Sequence, residues 1–159
     1  MESESPTTEG GDGTEPVTLL PVTLLTEDAV VSAVCDYLTD HRWEIVSRAM
    51  ATEHGVDIVA TRDGARLEVE AKGAGSSKPH TARYGRAFNR GQVFDHVAKA
   101  VLKALRVASA GNAQAAIAFP DNGDHRAEVE LVRVALQQAG IIVFWGGDEG
   151  TVSVEGDHS

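Results

Sequence analysis

The sequence is poor in cysteine, in aromatic residues and in long apolar runs. The single cysteine, Cys35, excludes an intrachain disulfide and favours a reducing, cytoplasmic location. No apolar run reaches the roughly 20 residues that a membrane-spanning helix needs, and the acidic N-terminus lacks the basic region of a secretory signal. Cysteine and histidine residues nowhere have the spacing of zinc ligands. The 159 residues, 42% of them hydrophobic, are therefore expected to form one folded domain without structural zinc.

Acidic residues outnumber basic ones by ten, and the excess is concentrated near the two ends of the chain. Residues 1–22 are predicted to be an acidic disordered tail, residues 23–147 the folded domain, and residues 148–159 a second acidic tail with an edge strand. These two tails hold nine of the 24 acids and no lysine or arginine. From Lys72 to Arg106, in contrast, eight basic residues accompany one acid. Nucleic acid therefore stays a candidate partner, because phosphate binding needs local positive charge.

Hydrophobic periodicity predicts helices and strands in the order α-β-β-β-α-β-α-β. Thr26 is expected to cap a first helix that ends near Asp40, and Asp63-Gly64 is typical of the tight turn of a hairpin. The other predicted elements are strands at 43–51, 56–61, 66–72, 115–119 and 141–145, an edge strand at 151–154, and helices at 91–108 and 124–139. The helix at 91–108 has an apolar stripe of Phe94, Val97, Ala98, Val101 and Leu105. A sheet with helices on both faces would bury such stripes.

The predicted hairpin carries the residues with the most chemical content. Strand alternation places three charged side chains of its second strand on one face, Glu68, Glu70 and Lys72. Asp57, on the first strand, is expected to lie across the hairpin beside Glu70, so that two carboxylates converge with a lysine. Two carboxylates can bind one hard divalent cation, with the carbonyl of Ala71 as a further ligand and Glu27 either completing the site or holding a second metal. The metal would activate a water molecule, and Lys72 would orient that water or stabilise charge on a phosphate.

Asp57, twelve further residues and then Glu70-Ala71-Lys72 resemble the core motif of the PD-(D/E)XK nuclease superfamily, which has the restriction-endonuclease-like fold. The predicted order of elements over residues 27–119 matches the α-β-β-β-α-β core of that family. The resemblance implies an α/β fold: a three-layer α-β-α sandwich around a mixed central sheet, with core order αβββαβ and an added helix and strand. It also implies Mg²⁺ as the cofactor, for which Mn²⁺ can substitute, with Asp57, Glu70 and Lys72 as catalytic residues.

Many members of this family place a glutamine at the start of the next helix and a tyrosine four residues later. Gln92 fits the glutamine and is a predicted catalytic residue, whereas His96 stands where the tyrosine would be. The resemblance implies a DNA endonuclease, with RNA as another substrate, no organic cofactor, and a homodimer if both strands are cut. The predicted nucleic-acid-binding residues are Lys78, Arg83, Tyr84, Arg86, Arg90, His96 and Lys99, and Lys103 is expected to contact the phosphate backbone.

A second class of function remains open at this stage. The same residues are compatible with a catalytically inactive nuclease-like domain that binds nucleic acid or a protein partner. Two of the acids also have simpler interpretations. Glu27 lies in the first turn of a helix, where an acid favours the helix dipole, and Glu68 is expected to pair with Arg66 or another base rather than bind metal.

Overall fold

The computed structural model describes residues 24–49, 54–75 and 86–156. The three helices of this part of the chain are α1 (Glu27–Asp40), α2 (Arg90–Ala110) and α3 (Gly123–Gln138). Its strands are β1 (Glu44–Arg48), β2 (Ile58–Arg62), β3 (Ala65–Ala71), β4 (Gln114–Pro120), β5 (Ile142–Gly146) and β6 (Val152–Glu155). The order therefore follows the prediction, and β6 confirms the edge strand expected near the C-terminus. The tail predicted at residues 1–22 lies outside the described residues.

The six strands form a single sheet in the order β1-β2-β3-β4-β5-β6. The two outer pairs, β1–β2 and β5–β6, are antiparallel, as is the β2–β3 hairpin, whereas β3, β4 and β5 run parallel to one another. Helices α2 and α3 make the connections between these parallel strands, as parallel pairing requires. The predicted α/β class and the mixed character of the sheet are thus confirmed.

Buried side chains form two clusters, one on each face of the sheet. On the first face, α1 packs Val30, Val34 and Leu38 against alternate residues of the central strands. On the opposite face, α2 and α3 pack Val97 and Val129 against the residues in between. The aromatic residues Trp43, Phe119, Phe144 and Trp145 are all buried, and so is Cys35. The strand period of two thus supplies both faces with apolar side chains, and the sheet is covered by helices on both sides.

Helix α2 is rotated relative to the prediction from its apolar stripe. Its buried residues are Val93, Val97, Ala100 and Ala104. Phe94, by contrast, is 57% exposed, and Leu105 is exposed as well. Because two of the buried residues are alanines, the helix backbone can approach the sheet closely there. The predicted stripe was therefore right at Val97 and Val101, which contact the core, and wrong at Phe94, Ala98 and Leu105, which are exposed.

The turn between β2 and β3 sets the register of the hairpin. Asp63 and Gly64 both have positive φ angles, 50° and 83°, as a two-residue hairpin turn of the predicted kind requires. Residues 58 and 69 are partners in this register. Asp57, which immediately precedes β2, therefore lies opposite Glu70. Strand β1 ends at Arg48, before the predicted end at residue 51, which lies outside the described part of the chain.

Candidate active site

Two buried carboxylates lie next to each other at the open end of the β2–β3 hairpin. Asp57 is 8% exposed and Glu70 is 6% exposed. The Ala71 amide donates a 2.7 Å hydrogen bond to Asp57 Oδ2, and Lys72 Nζ lies 2.6 Å from Glu70 Oε1. The bond across the hairpin holds Asp57 beside the segment that carries Glu70 and Lys72. The convergence of these three side chains is therefore observed as expected, while their catalytic roles stay predictions.

Lys103, on α2, is a further member of this cluster. Its Nζ lies 2.7 Å from Glu70 Oε1, the same oxygen that Lys72 contacts. The Lys103 side chain is 52% exposed and that of Lys72 is 15% exposed, so the two lysines approach Glu70 from different environments. Sequence reasoning placed Lys103 only among the basic residues that contact phosphates. Its contact with Glu70 depends on how α2 crosses β3, and no local pattern in the sequence signals that crossing.

The start of α1 packs against the residues that follow β3. The Ala74 amide donates a 2.8 Å hydrogen bond to the Leu25 carbonyl. A Cβ atom at Gly73 would lie 2.8 Å from the carbonyl carbon of Thr26, so only glycine allows this approach. Thr26 caps the helix as predicted, since its side chain accepts a hydrogen bond from the Ala29 amide. Glu27, the first residue of α1, is thereby held half-buried near the hairpin cluster.

The pKa directions of these groups show that the acids interact. Burial raises the pKa of Asp57; the Ala71 hydrogen bond lowers it, and the Glu70 charge raises it. Burial likewise raises the pKa of Glu27. The charge of Lys72 lowers this pKa, and the charges of Asp57 and Glu70 raise it further. The hydrogen bond to Glu70 raises the pKa of Lys103, so that ammonium is held in its charged form. Glu27 therefore lies within electrostatic range of the cluster, in addition to its place at the helix dipole.

The carboxylate oxygens of the cluster supply some of the ligands that a hard divalent cation needs. Within the described residues, Asp57 Oδ1 and Glu70 Oε2 accept no hydrogen bond, which leaves one carboxylate oxygen on each side chain for a ligand. Mg²⁺ is typically bound by one or two carboxylates and keeps several waters, and this pair meets that requirement. In the same part of the chain, no group of three His, Cys, Asp or Glu side chains converges as a metal site. Glu27 and the Ala71 carbonyl stay predicted ligands.

Gln92 and His96, on the first turns of α2, make local contacts that the sequence did not predict, and the roles expected for them in catalysis and nucleic-acid binding stay predictions. Gln92 Oε1 accepts a 3.0 Å hydrogen bond from the Asn89 amide, and its own amide donates to Asn89 Oδ1, forming a capping box. Among the described residues, its side chain makes no hydrogen bond to the carboxylates. The His96 ring packs edge-on against Phe88, and burial, with a further contribution from Lys72, lowers its pKa. His96 thus stands near Lys72, whereas Gln92 has a structural role in the helix cap.

Apart from the half-buried His96, the predicted nucleic-acid-binding residues fall into two groups. Arg86, Arg90 and Lys99 are exposed, and Lys78, Arg83 and Tyr84 lie outside the described residues. A cavity of about 210 Å³ lies beside Glu70 and Lys103, between β3 and α2, and its mainly apolar lining includes Val56, Ala104 and Val107. It adds an apolar recess to the cluster of charges.

Glu68 pairs with a neighbouring basic residue. Arg66 Nε donates a 2.8 Å hydrogen bond to Glu68 Oε1, so the predicted pairing of these neighbours is confirmed. The cluster therefore consists of Asp57, Glu70 and the two lysines, with Glu27 nearby.

Scans against protein-family models and against curated proteins find no match for this chain. None of the helices in the described ranges is long and apolar enough to cross a membrane. The likeness of the hairpin motif to that of a nuclease family therefore rests on the residues and on their geometry.

Proposed function

We propose that this protein is a metal-dependent nuclease that hydrolyses phosphodiester bonds in DNA and has the restriction-endonuclease-like fold. The observation that carries the proposal is the convergence of Asp57, Glu70 and Lys72 at one end of the hairpin, in a chain whose sheet order and helix placement are compatible with that fold. Structural carboxylates are seldom buried side by side, because each raises the cost of ionising the other. Such pairs are characteristic of functional sites.

The roles proposed for these residues follow from their positions. Asp57 and Glu70 would hold Mg²⁺ or Mn²⁺ through their unoccupied oxygens, with the Ala71 carbonyl and Glu27 as further ligands. When bound, the metal supplies a water of lowered pKa and positive charge for a phosphoryl oxygen. Lys72, which Glu70 holds 2.6 Å away in a largely buried setting, presents a fixed ammonium group. A fixed charge of this kind stabilises the developing negative charge on phosphate without reorganising during the reaction.

The surroundings of the cluster suit a nucleic-acid strand. Exposed basic residues at Arg86, Arg90 and Lys99 would contact phosphates and position the strand. The 210 Å³ cavity beside Glu70 exceeds the roughly 150 Å³ that holds a benzene-sized molecule in an apolar pocket. The cavity therefore has room for one base ring of the bound strand. We propose DNA as the substrate, with cleavage inside the strand.

The test is cleavage of plasmid, duplex and single-stranded DNA with Mg²⁺ or Mn²⁺, and without metal. Asp57→Asn, Glu70→Gln and Lys72→Met should each lower the rate by about 10²-fold or more, as expected when a metal ligand or a fixed charge at a reacting phosphate is lost. Glu130→Gln is the matched control, because Glu130 pairs with Arg133 on the exposed face of α3. Absence of metal-dependent cleavage on all DNA and RNA substrates would overturn the enzyme proposal.

A catalytically inactive, nucleic-acid-binding domain is the second candidate. It is favoured by the two lysines that already contact Glu70 Oε1 and by the lack, within the described residues, of a third acid positioned for metal binding. Such a domain would bind DNA with an affinity that falls steeply with salt, and without turnover. Calorimetry with Mn²⁺ distinguishes the two. A heat of Mn²⁺ binding that is present in the wild type and absent in Glu70→Gln supports the nuclease, and equal heats in the two proteins support the binding domain.

A further inference from the structure

We infer that Lys103 is an exchangeable counter-ion of the metal site: it neutralises Glu70 when no metal is bound and leaves Glu70 when a divalent cation binds. This inference rests on the proposed metal centre, and it concerns how that centre is kept stable and accessible before metal arrives.

The first support is the double occupation of a single oxygen. Lys72 Nζ and Lys103 Nζ lie 2.6 Å and 2.7 Å from Glu70 Oε1. Two ammonium groups at one oxygen repel each other, so the second is tolerated only because the surroundings carry excess negative charge. That charge comes from Asp57 and Glu70, both buried, with Glu27 nearby. Two adjacent buried carboxylates need compensation by cations, and the second lysine provides it.

The second support is the difference between the two lysines. Lys72 extends from the end of β3, and its side chain is largely buried, so its position is restricted by the sheet. Lys103 extends from the exposed side of α2, and about half of its side chain is in solvent. Its four-carbon stem can therefore turn away into water at little cost, since a lysine head group is strongly hydrated. Lys103 is the cation that can leave while Lys72 stays.

The third support is the electrostatic conflict that metal binding would create. A divalent cation held by Asp57 and Glu70 would stand close to an ammonium group that already contacts Glu70. Two like charges at such short range destabilise each other strongly when water is largely excluded. Lys103 therefore competes with the metal for Glu70. Once released, its ammonium lies at the edge of the cluster, on the side of the cavity that Lys103 helps to line, where a substrate phosphate can be contacted.

The experiment is calorimetric titration of the intact protein with Mn²⁺, without nucleic acid. Lys103→Met should bind Mn²⁺ about tenfold more tightly than the wild type, as expected when one charge-assisted hydrogen bond no longer has to be broken. Lys103→Arg keeps the cation and should retain the wild-type affinity. Lys99→Met removes the same charge one helical turn away and should change Mn²⁺ affinity by less than about threefold in 0.15 M salt, where distant charges are screened.

A second measurement follows the side chain itself. In the wild type, the NMR signal of Lys103 Cε, assigned by its loss in Lys103→Met, should move toward that of a solvent-exposed lysine when Mg²⁺ is added. If the wild type binds Mn²⁺ and Lys103→Met binds it equally or more weakly, the counter-ion role is wrong and the metal centre still stands. If neither protein gives metal heat, the metal centre itself is wrong, and the role of Lys103 is overturned with it.

Discussion

Replacing Asp57 by asparagine should make the protein more stable at neutral pH. Burial, the largest influence, raises the pKa of Asp57, and the Glu70 charge adds to it, so the ionised carboxylate destabilises the folded state despite the opposing Ala71 hydrogen bond. Asparagine removes the charge, and its side-chain oxygen can still accept the 2.7 Å hydrogen bond from the Ala71 amide. The same change removes a proposed metal ligand, so stability should rise while metal-dependent cleavage is lost.

A comparison of Asp57→Asn with Asp57→Ala gives the size of the hydrogen bond's contribution to stability. Alanine also removes the charge but leaves the buried Ala71 amide unpaired, which costs about 1–3 kcal/mol. Because 1 kcal/mol corresponds to about 2–4 °C in a domain of this size, Asp57→Asn should melt about 2–12 °C above Asp57→Ala. The two variants thus separate the effect of the charge from that of the hydrogen bond.

The stability difference between the wild type and Asp57→Asn should depend on pH, in a direction set by the raised pKa of Asp57. Folded Asp57 holds its proton more tightly than the unfolded chain, whose ordinary pKa is 3.8. The unfolding free energy therefore falls as pH rises from that value through the raised pKa, and the full deficit is present above it. The advantage of Asp57→Asn over the wild type should shrink as pH falls through the raised pKa toward the unfolded value of 3.8. Buried His125, whose pKa burial lowers to about 4, has the opposite trend, but it is common to both proteins.

Thermal unfolding followed by circular dichroism in metal-free buffer measures all three proteins across this pH range. A destabilising charge on Asp57 is refuted if Asp57→Asn is less stable than the wild type at neutral pH. A stability difference between the two proteins that is independent of pH would also refute it, because the charge of Asp57 would then not be the cause.

Two further substitutions test how the site is positioned and how the sheet is covered. Gly73→Ala would push its new Cβ atom into the backbone of Thr26 and Glu27, and should cost about 1–3 kcal/mol, measured by chemical denaturation; an unchanged midpoint would contradict the close packing of α1 on this segment. Asn122→Ala removes the N-cap of α3 and the 2.9 Å partner of His125 Nδ1, and should cost about 1–2 kcal/mol. Asn122→Ser, which restores a capping oxygen, should recover part of that loss, and equal stability of the two variants would argue against the cap.

The predictions from sequence that succeeded concern short-range interactions. Thr26 caps α1 because the hydroxyl of a residue just before a helix reaches the amide three residues later. Asp63 and Gly64 make the hairpin turn because few other pairs tolerate positive φ at both positions. That turn and the strand period then place Asp57 across from Glu70 by geometry alone. The core of the candidate site was therefore predictable before any tertiary contact was known.

Tertiary structure decided what depends on the packing of distant elements. The rotation of α2 exposes Phe94 and brings Lys103 onto Glu70, and Gly73 lets α1 hold Glu27 near the cluster. These contacts join residues about 30 to 50 positions apart, and they are set by which side chains fit between helix and sheet rather than by local preference. The sequence by itself determined the hairpin with its paired acids and lysine; only the packed helices decided which further charges surround them.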